Sequence, residues 1–91
     1  MTKAIYRPEH QVFLEILKRR RIEAGLTQVE CSTALGRPQS FMSDVERGSR
    51  RLDIIQIWDI CQVLGCDFLE LLGEFQRKIS PVSGSADRKG R

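Results

Sequence analysis

The chain has 91 residues, 41% hydrophobic and 30% charged, with a net charge of +3. That describes one small, soluble globular domain with a modest core, to which oligomerisation would add stability. No apolar run approaches a membrane span and no signal-peptide pattern is present, so a cytoplasmic protein without membrane contact is expected.

In chain order, residues 1–7 form a short lead-in. Pro8 then opens a helix at its first position, with Glu9 near the positive end of the dipole. Phe13, Leu17 and Ala24 share a face, with Ile16 beside it, and His10 points away as a solvated residue. Gly25 ends this helix. Thr27 is a good N-cap, and Glu30 stands at the capping-box spacing. Cys31, Ala34 and Leu35 share one face of a second helix, over Thr27–Leu35, and Ser32 is small enough to admit a close neighbour. Gly36-Arg37-Pro38 is a tight turn. A third helix is expected over 38–46, stopped by Gly48, with a narrow apolar stripe of Met42 and Val45. Gln39, Ser40, Ser43 and Asp44 lie off that stripe. They are short and polar, and Gln and Ser pair with base edges.

Ser49-Arg50-Arg51 is a loop. Leu52-Asp53 starts a fourth helix, whose Ile54, Ile57, Trp58, Cys61 and Leu64 read as a core or dimer face. Gly65 ends it and Asp67 caps a fifth, with Phe68, Leu69, Leu71 and Leu72 apolar. Gly73 is a possible break, after which Phe75 and Ile79 extend the helix or cover a partner. The domain is expected over 8–79, with 80–91 a disordered basic tail rich in Ser, Gly and charge.

Charge is unevenly spread. Residues 76–91 carry five bases against one acid, while the remainder carries ten against eleven. Bases bunch at Lys18–Arg21, Arg37, Arg47 and Arg50-Arg51, which suits one face docked on phosphates. Cys31, Cys61 and Cys66 sit in apolar patterns without metal-ligand spacing and read as small buried hydrophobes. One His, no Gly-rich phosphate loop and no paired carboxylates in an apolar setting assemble no active site. An enzyme is not expected, nor is a metal or cofactor.

The ordered set Arg21, Gly25-Leu26-Thr27-Gln28, Ala34-Leu35-Gly36, Gln39-Ser40, Glu46-Arg47-Gly48 and Leu64-Gly65 resembles the Cro/cI-type (XRE) helix-turn-helix regulators between Leu17 and Leu72. The resemblance implies an all-α, five-helix lambda-repressor-like fold with the helix-turn-helix at the second and third helices. It implies major-groove base contacts from Gln39, Ser40, Ser43 and Asp44. Thr27, Gln28, Arg37, Arg47, Arg50 and Arg51 would lie on phosphates, with Gln28 supporting Gln39. It also implies a buried Arg21–Glu46 ion pair tying the first helix to the third. Four departures stand out: Arg37-Pro38 at the turn, Phe41 where smaller residues are usual, Cys31 where Leu is frequent, and Arg20 at an often apolar position. Phe41 either touches a thymine methyl or sugar, or packs back on the protein.

The function expected is sequence-specific binding of double-stranded DNA for transcriptional control, as a repressor homodimer on a pseudo-palindromic operator. The dimer surface is expected from the fifth helix and the end of the fourth. Two alternatives fit the same size: an antitoxin holding a protein toxin, and a controller protein of a restriction–modification system.

Overall fold

In a computed structural model, which describes residues 7–80, the chain folds into five helices with no strand among the described residues. They are α1 (Pro8–Glu23), α2 (Gln28–Ala34), α3 (Phe41–Arg47), α4 (Ile54–Leu64) and α5 (Phe68–Ile79). Most of the expected lead-in and tail lies outside the described residues.

α1 begins with Pro8 in the first turn and Glu9 beside it, and carries Arg20 and Arg21 in its last turn. Its buried face is Phe13, Leu14, Ile16, Leu17 and Arg21. The expected Ala24 is exposed instead. One turn beyond Leu17 the inward position falls to Arg21, and Ala24 is already the C-cap. His10 also departs from expectation. It is half-buried, and its Nε2 is enclosed without a hydrogen-bond partner among the described residues.

α2 carries the capping box. Thr27 Oγ1 accepts the Glu30 N–H at 3.0 Å, and the Thr27 N–H donates to Glu30 Oε1 at 2.9 Å. Cys31 and Ser32 are fully buried, whereas Ala34, expected inside, is exposed. Gly36, at φ +73°, closes the helix: its N–H donates to Thr33 O and that of Arg37 donates to Ser32 O. These two bonds satisfy carbonyls that a helix end leaves orphaned, and the left-handed residue they need is one glycine tolerates.

α3 starts at Phe41, three residues after the expected Pro38. The Phe41 N–H donates to Pro38 O at 2.9 Å, so Pro38, Gln39 and Ser40 form a turn ahead of the helix. Ser40 has helical backbone angles (φ −86°, ψ −1°) and its side chain caps nothing. The cap comes from α2: Ser32 Oγ accepts the Met42 N–H at 2.9 Å and donates to Gln28 O at 2.9 Å. Ser32→Ala is expected to strand a buried N–H and cost about 1–2 kcal/mol. Thermal melting checks this; an unchanged melting temperature would mean that Met42 finds another acceptor.

α4 is capped by Asp53, which accepts the Gln56 N–H, while Gln56 Oε1 accepts that of Asp53. Its inward stripe is Ile57, Ile60, Cys61 and Leu64. Ile54 and Trp58, expected in that face, are about half exposed, and Ile55 is more so. At 100° per residue these three lie to one side of the stripe. Asp67 caps α5 by accepting the Glu70 N–H. α5 runs unbroken through Gly73 to Ile79, and Phe75 meets Phe13 of α1 edge-on, with ring centroids 5.2 Å apart. A helical glycine costs only about 1 kcal/mol relative to alanine, which packing on both sides of it offsets. α1 lies against α3 and α5, α2 against α3 and α4, and α4 against α5.

Candidate nucleic-acid interface

The inner face of α3 is closed: Phe41, Met42 and Val45 are at most 3% exposed. What remains outside is polar. Arg37, Pro38, Gln39 and Ser40 are exposed in the turn, Ser43 and Asp44 are half-exposed, and Arg47 is exposed. Gly48 (φ +86°) turns the chain, with its N–H donating to Val45 O and that of Ser49 to Asp44 O. Arg50 and Arg51 follow, both exposed. Gln39, Ser40, Ser43 and Asp44 thus stay open to solvent on α3 and the turn before it, with Arg37 and Arg50 over the Phe41 ring and Arg47 at the helix end, whereas Arg51 lines a groove with Phe13, Leu52 and Phe75. Two contacts on the α3 surface are internal: Ser43 Oγ donates to Ser40 O at 2.9 Å, and Arg47 pairs closely with Asp44.

Behind that surface lies the Arg21–Glu46 pair. Arg21 Nε donates to Glu46 Oε2 at 2.7 Å and Nη2 to Oε1 at 3.1 Å, while Nη1 donates to Leu26 O. The two side chains are 9% and 5% exposed. The carboxylate raises the Arg21 pKa above its usual range. Gln28 joins this network. Its amide donates to Glu46 Oε1 at 2.9 Å, not to Gln39 as expected. Its partner is the carboxylate beneath the helix, so its first role is to hold α2 on α3. Thr27 is exposed, with its hydroxyl oxygen engaged by Glu30 N–H.

Of the two expectations for Phe41, a base contact or packing on the protein, the structure shows the packing. Its ring is buried, and the Arg37 and Arg50 guanidinium carbons stand 5.2 and 5.1 Å from its centroid. The basic run in α1 is a correction. Arg19 and Arg20 converge on Glu74 of α5, at 2.6 and 2.9 Å, and Arg21 is spent on Glu46. Three of those four cations therefore tie helices together, and Lys18 is the exposed one without an ion pair among the described residues. Sequence reasoning gives Glu74 no role; Arg20, a cation at an often apolar position, shows that helix unusual but not which carboxylate it meets.

Cys31 and Cys61 are fully buried, as small apolar residues would be, and Cys66 is half-buried. Burial raises both buried thiols, Cys61 to about 12, which suppresses the reactive thiolate. Among the described residues no three potential metal ligands cluster, and no helix is long and apolar enough to cross a membrane.

Two short helices joined by a tight turn, the second buried on one side and polar on the other, define a helix-turn-helix DNA-binding domain. The helix-turn-helix family profile matches residues 17–71. The chain belongs to that family, in its XRE branch of transcription regulators. It is 39% identical over 54 residues to the uncharacterized HTH-type transcriptional regulator y4dJ of Sinorhizobium fredii, spanning 59% of this chain and 70% of that one. An XRE-family like protein from Pseudomonas syringae pv. tomato superposes with a TM-score of 0.76 at 41% identity, over 86% of this chain and 95% of that one. The clp gene regulator ClgR from C. glutamicum superposes at 0.70 and 20% identity, over 82% and 97%, and so shares the fold.

Proposed function

We propose that this regulator binds a pseudo-palindromic operator as a homodimer and represses transcription from it. The observation that supports this best is the outward surface of α3. Gln39, Ser40, Ser43 and Asp44 carry base-edge chemistry, and Arg37, Arg47, Arg50 and Arg51 around them suit phosphates, which fix register without specifying sequence. Thr27 and Gln28 border the same surface and complete the backbone contacts. Residues 8–79 form the domain, acting in the cytoplasm, where its DNA lies.

A two-fold dimer would set two copies of α3 roughly 34–36 Å apart. The end of α4, expected in the dimer surface, turns Ile60, Cys61 and Leu64 into the core. On these two helices the exposed large apolar residues are instead Ile54, Ile55 and Trp58 at the start of α4, and Leu69 of α5, while Ile22 of α1 and Val29 of α2 are exposed elsewhere. We assign the dimer to the residues on α4 and α5. The same apolar patch favours the antitoxin reading as second choice, because a protein toxin would need such a surface.

The test is selection of bound sequences from random duplex DNA, with affinity measured across salt. A two-fold-symmetric motif is expected. Gln39→Ala should change the preferred base at one position of each half-site. Arg50→Gln should leave the motif intact and flatten the slope of log K against log salt by about 0.9. No motif, with binding that only fades as salt rises, would remove the operator reading. Sedimentation showing a monomer with and without DNA would remove the dimer.

A further inference from the structure

The ring of Phe41 sits where the reading above has no task for it. It is the first residue of α3 and is 3% exposed, its ring turned into the protein. Yet the two arginines that flank the turn and the loop, thirteen residues apart in sequence, both rest on it. The Arg37 guanidinium lies 5.2 Å from the ring centroid and that of Arg50 lies 5.1 Å from it. Both distances are within the ~6 Å over which a ring's quadrupole attracts a cation.

Among the described residues neither guanidinium has a carboxylate partner, in contrast to Arg19, Arg20, Arg21 and Arg47. Two like charges gathered on one ring repel each other in the free protein. An anion placed against both relieves that repulsion, and on this surface the anion supplied by DNA is a backbone phosphate. Arg37 is anchored through its backbone N–H on Ser32 O, and Arg50 follows the turn made by Gly48. The ring therefore joins the cation before the recognition helix to the cation after it.

We infer that Phe41 is a positioning residue, which holds Arg37 and Arg50 together as one preorganised clamp for DNA phosphate. This rests on the proposed DNA-binding surface and adds to it a residue that touches no DNA. Fixing both side chains in advance lowers the entropy lost on binding, since long cationic side chains otherwise order only in the complex.

The experiment measures affinity across salt for the wild type, Phe41→Leu and Phe41→Tyr, on the selected operator and on a mixed-sequence duplex. Phe41→Leu keeps an apolar filler but removes the π face. It should bind about 5- to 150-fold more weakly at low salt, as ordering two long side chains only in the complex implies. Its salt slope should be shallower by about 1–2 on both duplexes, with the selected motif unchanged. Phe41→Tyr keeps the ring face and should restore the wild-type slope. A purely structural role would lower the melting temperature and leave the slope alone. An unchanged slope in Phe41→Leu overturns the clamp, and a changed motif would make Phe41 a base reader.

If Phe41→Leu does not fold, Arg37→Gln, Arg50→Gln and the double variant decide the matter. Charges that share one ring and one anion should give a double effect smaller than the sum of the single ones, and strict additivity overturns the clamp. Because the slope is read on mixed sequence as well, loss of the operator reading and loss of the clamp give different results.

Discussion

Glu46→Ala is expected to remove about 3–5 kcal/mol of stability, the range for breaking a buried ion pair. Three donors depend on this carboxylate: Arg21 Nε and Nη2, and the Gln28 amide. Alanine leaves Arg21, 9% exposed, charged and largely dry. At about 4–8 °C per kcal/mol for a domain of this size, melting should fall by at least 12 °C. Glu46→Gln should cost less, because it keeps a carbonyl acceptor for Arg21. Chemical denaturation of both variants checks the order. A loss below about 1 kcal/mol for Glu46→Ala would place this pair among solvent-screened surface bridges. DNA binding should fall with the folded fraction, since Glu46 ties α3 to α1 and α2 beside the Ser32–Met42 bond and the buried face of the helix.

The second large effect belongs to Glu74 and depends on pH. Arg19, with Arg20 beside it, holds the Glu74 carboxyl at about 2, against an ordinary value of 4.5. A carboxylate depressed in the folded state contributes stability that is complete above its unfolded pKa and is lost as pH falls through the folded one. The α1–α5 tie should therefore be intact at neutral pH and disappear between about pH 4.5 and pH 2. Glu74→Gln should remove that part of the acid dependence and cost about 1.5–3 kcal/mol at pH 7, the range for a hydrogen bond to a charged group. The loss is smaller than at Glu46 because Arg19, 42% exposed, regains water when its partner is removed, while Arg20, at 20%, regains less. Stability measured against pH for both proteins checks this; parallel curves from pH 2 to 5 would mean that Glu74 is not the group titrating.

Legibility along the chain followed the range of the interaction. The Thr27–Glu30 box and the Asp67 cap are readable because donor and acceptor are three residues apart, and the same range marks Asp53 at the start of α4. The stops at Gly36 and Gly48 were readable for the same reason. Arg21 and Glu46 were paired only through the family resemblance, as periodicity does not match a cation with a carboxylate 25 positions away. Nothing local announced that Arg20 would meet Glu74, 54 positions away, or that Ser32 would cap a helix ten residues later. The start of α3 at Phe41 differs from the expected Pro38 for that reason. Pro38 suits a first helical position, but the capping acceptor sits across the turn, on α2.

The sequence by itself determined five helices, their order, the tight turn between the second and third, and membership of a DNA-binding class. The helices and the turn follow from local capping, from backbone limits at glycine and proline, and from apolar spacing, whereas the class follows from the ordered motif set that resembles the XRE regulators. Only the tertiary structure decided which cations are free for phosphate and which serve as internal ties. It also decided that Phe41 faces inward beneath two arginines, and that Ile54 and Trp58 stand outside the core. A side chain's chemistry is set by its own residue, whereas its burial and its partner are set by what the rest of the chain places against it.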